Sequence, residues 1–191
     1  MPVSAPKTPS ATPRGPLPGQ LRARPRAALA LALLLLAAGL LTGCAHMSVR
    51  HLARTPWTMG QQEEVTLKYW RFVFVTTPET DRFRVRGTAY PLTEDLPKWA
   101  DWIDELWLSA YVADKNGGVV TDDLRVYLPG PFDPTKGVPF DFTLKPDRLE
   151  SGQLFITFGY RMALGQGKPA DGTPDPKRRI FFANERAMDF F

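Results

Sequence analysis

The chain is poor in the residues on which most enzyme chemistry depends. Its 191 residues include one cysteine and two histidines. A single cysteine excludes an internal disulfide, a cysteine-rich zinc site or a redox pair. The histidines, His46 and His51, fall close together ahead of the strand-like part of the chain. A serine–histidine–aspartate triad or a histidine metal site therefore lacks its usual members. No G-x-S-x-G, H-E-x-x-H or P-loop string occurs. Apolar runs are equally scarce, and residues 27–41 form the one strong example. Fifteen residues span about 22 Å as a helix, short of a hydrocarbon core of about 30 Å. Acidic residues are missing from the first 43 positions, which hold Lys7, Arg14, Arg22, Arg24 and Arg26.

A basic region, a short apolar segment and small residues before a cut site make a secretory signal peptide. Here the segment ends in Leu41-Thr42-Gly43-Cys44. This L-T-G-C string resembles the lipobox of bacterial lipoprotein precursors. The resemblance implies that residues 1–43 are removed, and that Cys44 is lipidated and becomes the first residue of the mature protein. In that family the next residue bears on sorting, and Ala45 is not the aspartate of inner-membrane retention. The implied address is the periplasmic face of the outer membrane in a cell with two membranes. The implied membrane contact is lipid on Cys44.

Removal of the leader changes the charge argument. The whole chain has a formal net charge of +4, but 19 cations and 20 anions follow position 43, a net −1. The basic character belongs to the leader, and no nucleic-acid partner is expected. Residues 44–191 number 148, enough for one domain held by an apolar core alone. Residues 44–63 show little periodicity and read as a flexible lipidated tether with a reach of about 25 Å. Trp57 and Met59 leave docking of part of that stretch open. The folded domain is expected over 64–191, and a chain starting near Gln61 should fold alone.

That domain reads as mainly β. Residues 65–76 are rich in branched and aromatic side chains, with a phase slip at Tyr69-Trp70 that suggests a bulge or burial of both faces. Residues 82–90 alternate, with Phe83, Val85, Gly87 and Ala89 against Arg82, Arg84, Arg86 and Thr88. Further stripes run through Leu106, Leu108, Ala110 and Val112, through Phe140, Phe142 and Leu144, and through Leu154, Ile156, Phe158, Tyr160 and Met162. Asn116-Gly117 marks a hairpin turn with positive φ. Residues 119–128 and 179–183 complete about seven strands, with turn signals every ten residues or so. The pattern predicts an immunoglobulin or fibronectin-III-like β-sandwich. Around Asp95 and Pro97 a short helix or turn is predicted, passing into the third strand near Asp104, because Trp99, Trp102, Ile103 and Leu106 fall at helical spacing.

Little of this is chemistry. The carboxylates Asp101, Asp104, Glu105, Asp122 and Asp123 are candidates for acid–base work, but read more simply as solvated strand ends. Asp114-x-Asn116-Gly117 has the opening of a calcium loop, yet Arg125 stands where the closing glutamate belongs. Two features could bind. Arg82, Arg84 and Arg86 share one strand face at a spacing of about 6.8 Å, a row suited to phosphate or to an acidic partner. Trp99, Trp102 and Trp107 crowd one segment and could form a stacking platform for sugars or proteins. The terminal Phe190-Phe191 reads as packing on the domain rather than a barrel-assembly signal. The expectation is a lipid-anchored envelope module that binds a protein partner, with a glycan or anionic polymer as the alternative. Neither an enzyme nor a cofactor is expected.

Overall fold

The computed structural model describes residues 46–146, 152–170 and 177–190. Residues 1–45, with the expected leader and Cys44, residues 147–151 and 171–176, and the terminal Phe191 lie outside the described residues. Twelve strands, numbered in chain order, account for the regular structure, with no helix among the described residues. One sheet has the order β3(Gln62–Thr66), β4(Trp70–Pro78), β5(Phe83–Pro91), β9(Val138–Leu144). The other runs β11(Ile180–Glu185), β10(Phe155–Gly165), β6(Trp102–Ala113), β7(Val119–Tyr127). Short β2(Thr55–Pro56) lengthens it beside β10, and β8(Gly130–Pro131) beside β6. A separate ribbon joins β1(His46–Ser48) to β12(Met188–Phe190).

Every pairing is antiparallel. After β5 the chain crosses to the second sheet for the β6–β7 hairpin, returns as β9 beside β5, and crosses again as β10 beside β6. In immunoglobulin-type sandwiches strand B pairs with E, and C with F. The orders β4–β5–β9 and β7–β6–β10–β11 reproduce those pairings, with β3 as an added edge strand. The expected sandwich is therefore the observed fold, with eight long strands rather than about seven.

Alternation explains why these strands pack. Val85, Ala89, Phe142, Leu144, Ile156, Phe158 and Met162 are fully buried, and they are the inward members of the expected stripes. Phe158 of β10 stacks on Phe72 of β4 with ring centroids 4.5 Å apart, and meets Phe140 and Phe142 of β9 at 5.4 and 6.2 Å. The β9 and β10 stripes thus face each other across the core. The β6–β7 turn differs in detail from a two-residue hairpin. Asp114 and Gly118 close a three-residue loop in which Gly117 alone has positive φ, at 85°.

Three expectations are corrected. The stretch 65–76 is not one bulged strand. Its phase slip marks a hairpin, closed by Leu67 N–H donating to the Trp70 carbonyl at 2.8 Å. Of the helix or turn expected near Asp95, the turn is what forms, and the strand begins before Asp104. Residues 93–100 form turns, with Leu96 N–H bonded to the Thr93 carbonyl and Ala100 N–H to the Pro97 carbonyl. Trp102 already lies in β6, paired with Gly165 and Pro131. The third correction concerns the tether, which is folded from His46 onward. Val49 is 0% exposed and Leu52 4%, both packed on Tyr111 and Ala113, and the Trp57 ring sits 4.6 Å from that of Phe83. The energy recovered by burying these side chains outweighs the weak periodicity of the segment.

Candidate functional site

The arginine row lies on the outward face of the β5–β9 pair, where its charge is already answered. Arg84 Nε donates to Asp141 Oδ1 at 2.7 Å, and Arg86 Nε to Asp141 Oδ2 at 3.1 Å. Arg84 also reaches Glu79 at 3.4 Å. Arg82 pairs with Asp81 at 2.8 Å, and Lys145 meets the same carboxylate at 3.1 Å. The Arg84 hydrogen bond holds the Asp141 carboxyl below the usual carboxylate range, and Arg82 and Lys145 do the same for Asp81. A phosphate ligand would have to displace these carboxylates from their guanidinium partners.

The tryptophans do not form one platform. Trp99 packs against the core from the turn before β6. Trp102 is half-buried at the start of the strand, its Nε1 buried and unpartnered. Trp107 sits mid-strand on the outer face of the second sheet. The Arg161 guanidinium lies 5.2 Å from the Trp107 ring centroid and 5.4 Å from that of Phe182. Glu105 balances Arg161 at 2.8 Å.

The carboxylates are mostly structural. Asp104 takes Arg178 bidentately at 2.7 and 2.8 Å. Asp101 accepts from Gly167 N–H at 2.5 Å, and Asp123 accepts from Thr143 N–H at 2.7 Å. Asp122 stands on the exposed outer face, where partial desolvation and then the Asp123 charge push its carboxyl up. Asp122 and Asp123 are strand neighbours and point to opposite faces, so they do not converge on a common reacting atom. His51 Nε2 lies 3.1 Å from the Arg186 carbonyl. No group of three His, Cys, Asp or Glu side chains could hold a metal among the described residues.

The least expected feature is β7, whose pattern is reversed. Its polar members point towards β9, the edge strand of the opposite sheet. Arg125 Nε donates to the Asp141 carbonyl at 2.9 Å, and the Tyr127 hydroxyl to the Pro139 carbonyl at 2.9 Å. With the Asp123–Thr143 bond, these side chains satisfy the open backbone edge of β9. Burial pushes the Tyr127 phenol up to about 12, so it remains a donor throughout the physiological range. The apolar members then face solvent: Leu124 is 41% exposed and Val126 62%. Val126 stands opposite Trp107, and Trp107 opposite Arg161. On the far edge Phe182 (55% exposed) and Ile180 (60%) occupy the same outer face, opposite Ala163 and Gly165. Leu128, just beyond β7, is 89% exposed.

Known family models, characterised proteins and solved structures offer no match to this chain. The outer face of the β7–β6–β10–β11 sheet is thus identified by its own physics. Sequence reasoning missed it, although the Leu124, Val126, Leu128 alternation was there to be read.

Proposed function

We propose that the chain is a lipid-anchored protein-interaction or assembly module of the cell envelope. Lipid on Cys44 holds it to the membrane, on the periplasmic face of the outer membrane where two membranes exist. It engages its partner through the outer face of the β7–β6–β10–β11 sheet. One observation carries this reading. A solvated face of an antiparallel sheet is ordinarily polar, whereas this one presents Leu124, Val126, Ile180 and Phe182, each at least 41% exposed. Leu124 and Val126 lie on one edge strand and Ile180 and Phe182 on the other, with Trp107 and Arg161 between them; exposed apolar surface beyond a scatter of single residues marks interaction sites. Burying one such side chain fully contributes about 1.5–3 kcal/mol. The face carries few charges, Arg161 being matched by Glu105 and Asp122 standing on the β7 side, which suits a largely apolar surface on another protein.

The glycan or anionic-polymer alternative has less behind it. Arg161 covers one face of the Trp107 ring, Trp99 serves the core, and carboxylates answer the arginine row. The proposal assigns no catalytic step and no cofactor. The test is site-specific photo-crosslinking in living cells, with the reactive residue at Val126, at Phe182 or, as a control, at Thr143 on the opposite sheet. Adducts to one envelope protein at the first two positions, lost in a Leu124→Glu background, are the expected result. Adducts only at Thr143, or only to glycan, would overturn the reading.

A further inference from the structure

We propose that the end of the sandwich carrying β1, the 50–54 turn, the β6–β7 turn and Arg186 rests on the phosphate headgroups of an anionic bilayer. This inference builds on the reading of Cys44 as the lipidated residue. It starts from the absence of slack. Two peptide steps separate Cys44 from His46, at most about 8 Å. β1 is fixed immediately afterwards: all three of its residues pair with β12, Ser48 bridges to Gly118, and Val49 N–H donates to the Gly117 carbonyl at 2.8 Å. A lipid on Cys44 therefore brings this end, and no other, to the headgroup layer.

The charges at this end suit that surface. Arg50 is exposed, and its Nε donates to the Asn116 carbonyl at 3.2 Å, which places it beside exposed Lys115. His51 connects the same turn to exposed Arg186 through the Arg186 carbonyl. None of Arg50, Lys115 and Arg186 has a carboxylate partner among the described residues; the same holds of exposed Lys98, Lys168 and Arg179 at the opposite end, so the short link to Cys44, and not free charge alone, selects this end. Of the acids at this end, Asp114 accepts the N–H groups of Asn116 and Gly118, and Asp189 lies opposite Met47. Three free cations are thus gathered here on a mature chain of net charge −1. Exposed Met188 adds an apolar side chain, and an open groove of about 500 Å³ runs between His51 and residues 184–189.

The test uses the mature protein purified from membranes and inserted through its own lipid into nanodiscs. The discs contain phosphatidylcholine alone or with added phosphatidylglycerol. Amine-reactive labelling of Lys115 is compared with that of Lys98, exposed at the other end of β6. Twelve strand residues, about 40 Å, separate the two ends. Labelling of Lys115 should slow about fivefold in the anionic discs, the factor expected for one cation at such a surface. Lys98 should not change, and high salt should abolish the difference. Arg50→Glu with Arg186→Glu, its fold checked by near-ultraviolet circular dichroism, should label equally in both discs. Equal Lys115 labelling of the wild-type protein in both discs overturns the inference and leaves the lipidation reading standing. An unmodified Cys44 by mass spectrometry, with protein absent from the discs, overturns the lipidation reading and the inference with it.

Discussion

Replacing Phe158 with alanine tests the register on which every surface assignment depends. Phe158 is 0% exposed and touches four other rings: Phe72 at 4.5 Å, Phe74 at 4.9 Å, Phe140 at 5.4 Å and Phe142 at 6.2 Å. Truncating a buried phenylalanine costs about 3–5 kcal/mol, and aromatic pairs contribute beyond their area. Both sheets meet at this ring, so the cavity cannot close by a small shift of one of them. The expected loss is therefore at the upper end, about 5 kcal/mol. For a domain near 150 residues that lowers Tm by about 10–20 °C. Phe182→Ala is the matched control. Its ring is 55% exposed, and its one ring contact among the described residues is the Arg161 guanidinium, so a loss of at most about 1 kcal/mol is expected. Urea unfolding of a chain beginning at His46, followed by tryptophan fluorescence, reads both, with an unchanged denaturant slope as the check that only stability has moved. Equal losses for the two variants would refute the reasoning. A one-residue slip exchanges the faces of a strand, and the apolar surface would then be the core.

A chain beginning at Gln61 should be measurably less stable in the same assay than one beginning at His46, since it lacks Val49, Leu52 and Trp57; equal midpoints would return the 46–60 segment to the status of a tether. Gly87→Ala should destabilise by about 1–3 kcal/mol or more, because an added Cβ has no room against the Val73 carbonyl and the Phe140 ring, and a neutral result would show that β4 and β5 are misplaced. The Asp122 carboxyl is raised in the fold, so its ionisation opposes folding. Its proton is held more tightly in the native state, and stability falls as pH rises through the unfolded value near 4. Asp122→Asn should therefore raise Tm at pH 7 and leave it unchanged near pH 3, whereas a fall at pH 7 would mean that the carboxylate has a stabilising partner. Cys44→Ala should leave an uncut precursor, visible by mass, and a normally processed product would remove lipid from the account.

Most of the fold is legible in the chain because alternation and burial agree. In β5, β9 and β10 the apolar members are the inward ones, and apart from Pro139 the outward positions of β5 and β9 hold charged or hydroxyl side chains. The predicted helix shows where the same logic runs out. Ile103 and Leu106 are three apart, as on a helix, yet both serve the core from a strand. The pairings of Glu105 with Ala163 and Ile103 with Leu164 leave Asp104 as an extra residue, a bulge that shifts the phase by one. That residue turns to Arg178, whose side chain is only 10% exposed. Its partner lies 74 positions away in the chain, so nothing local distinguishes the bulge from one helical turn. The folded 46–63 segment was hidden for a related reason. Its contacts are few and non-local, Val49 and Leu52 on Tyr111 and Ala113, and no periodicity announces them.

The surface proposed for binding was illegible for a deeper reason, and the reason bears on function. Alternation says that one face of β7 is apolar; it does not say that this face is inside. The outcome was decided by β9, whose edge carbonyls and N–H groups at Pro139, Asp141 and Thr143 need partners. Asp123, Arg125 and Tyr127 supply them. An unsatisfied buried backbone group costs about 1–3 kcal/mol, which is comparable to the gain from burying one leucine or valine. With three edge groups to satisfy, the polar face of β7 turns inward and Leu124 and Val126 turn out. Edge protection of one sheet thus creates the apolar face of the other. A chain selected only to fold could have placed threonine or lysine at those outward positions at no cost to the edge. That it carries leucine and valine there, in line with Trp107 and flanked by Ile180 and Phe182 across the sheet, is the reason to look for a partner on that side.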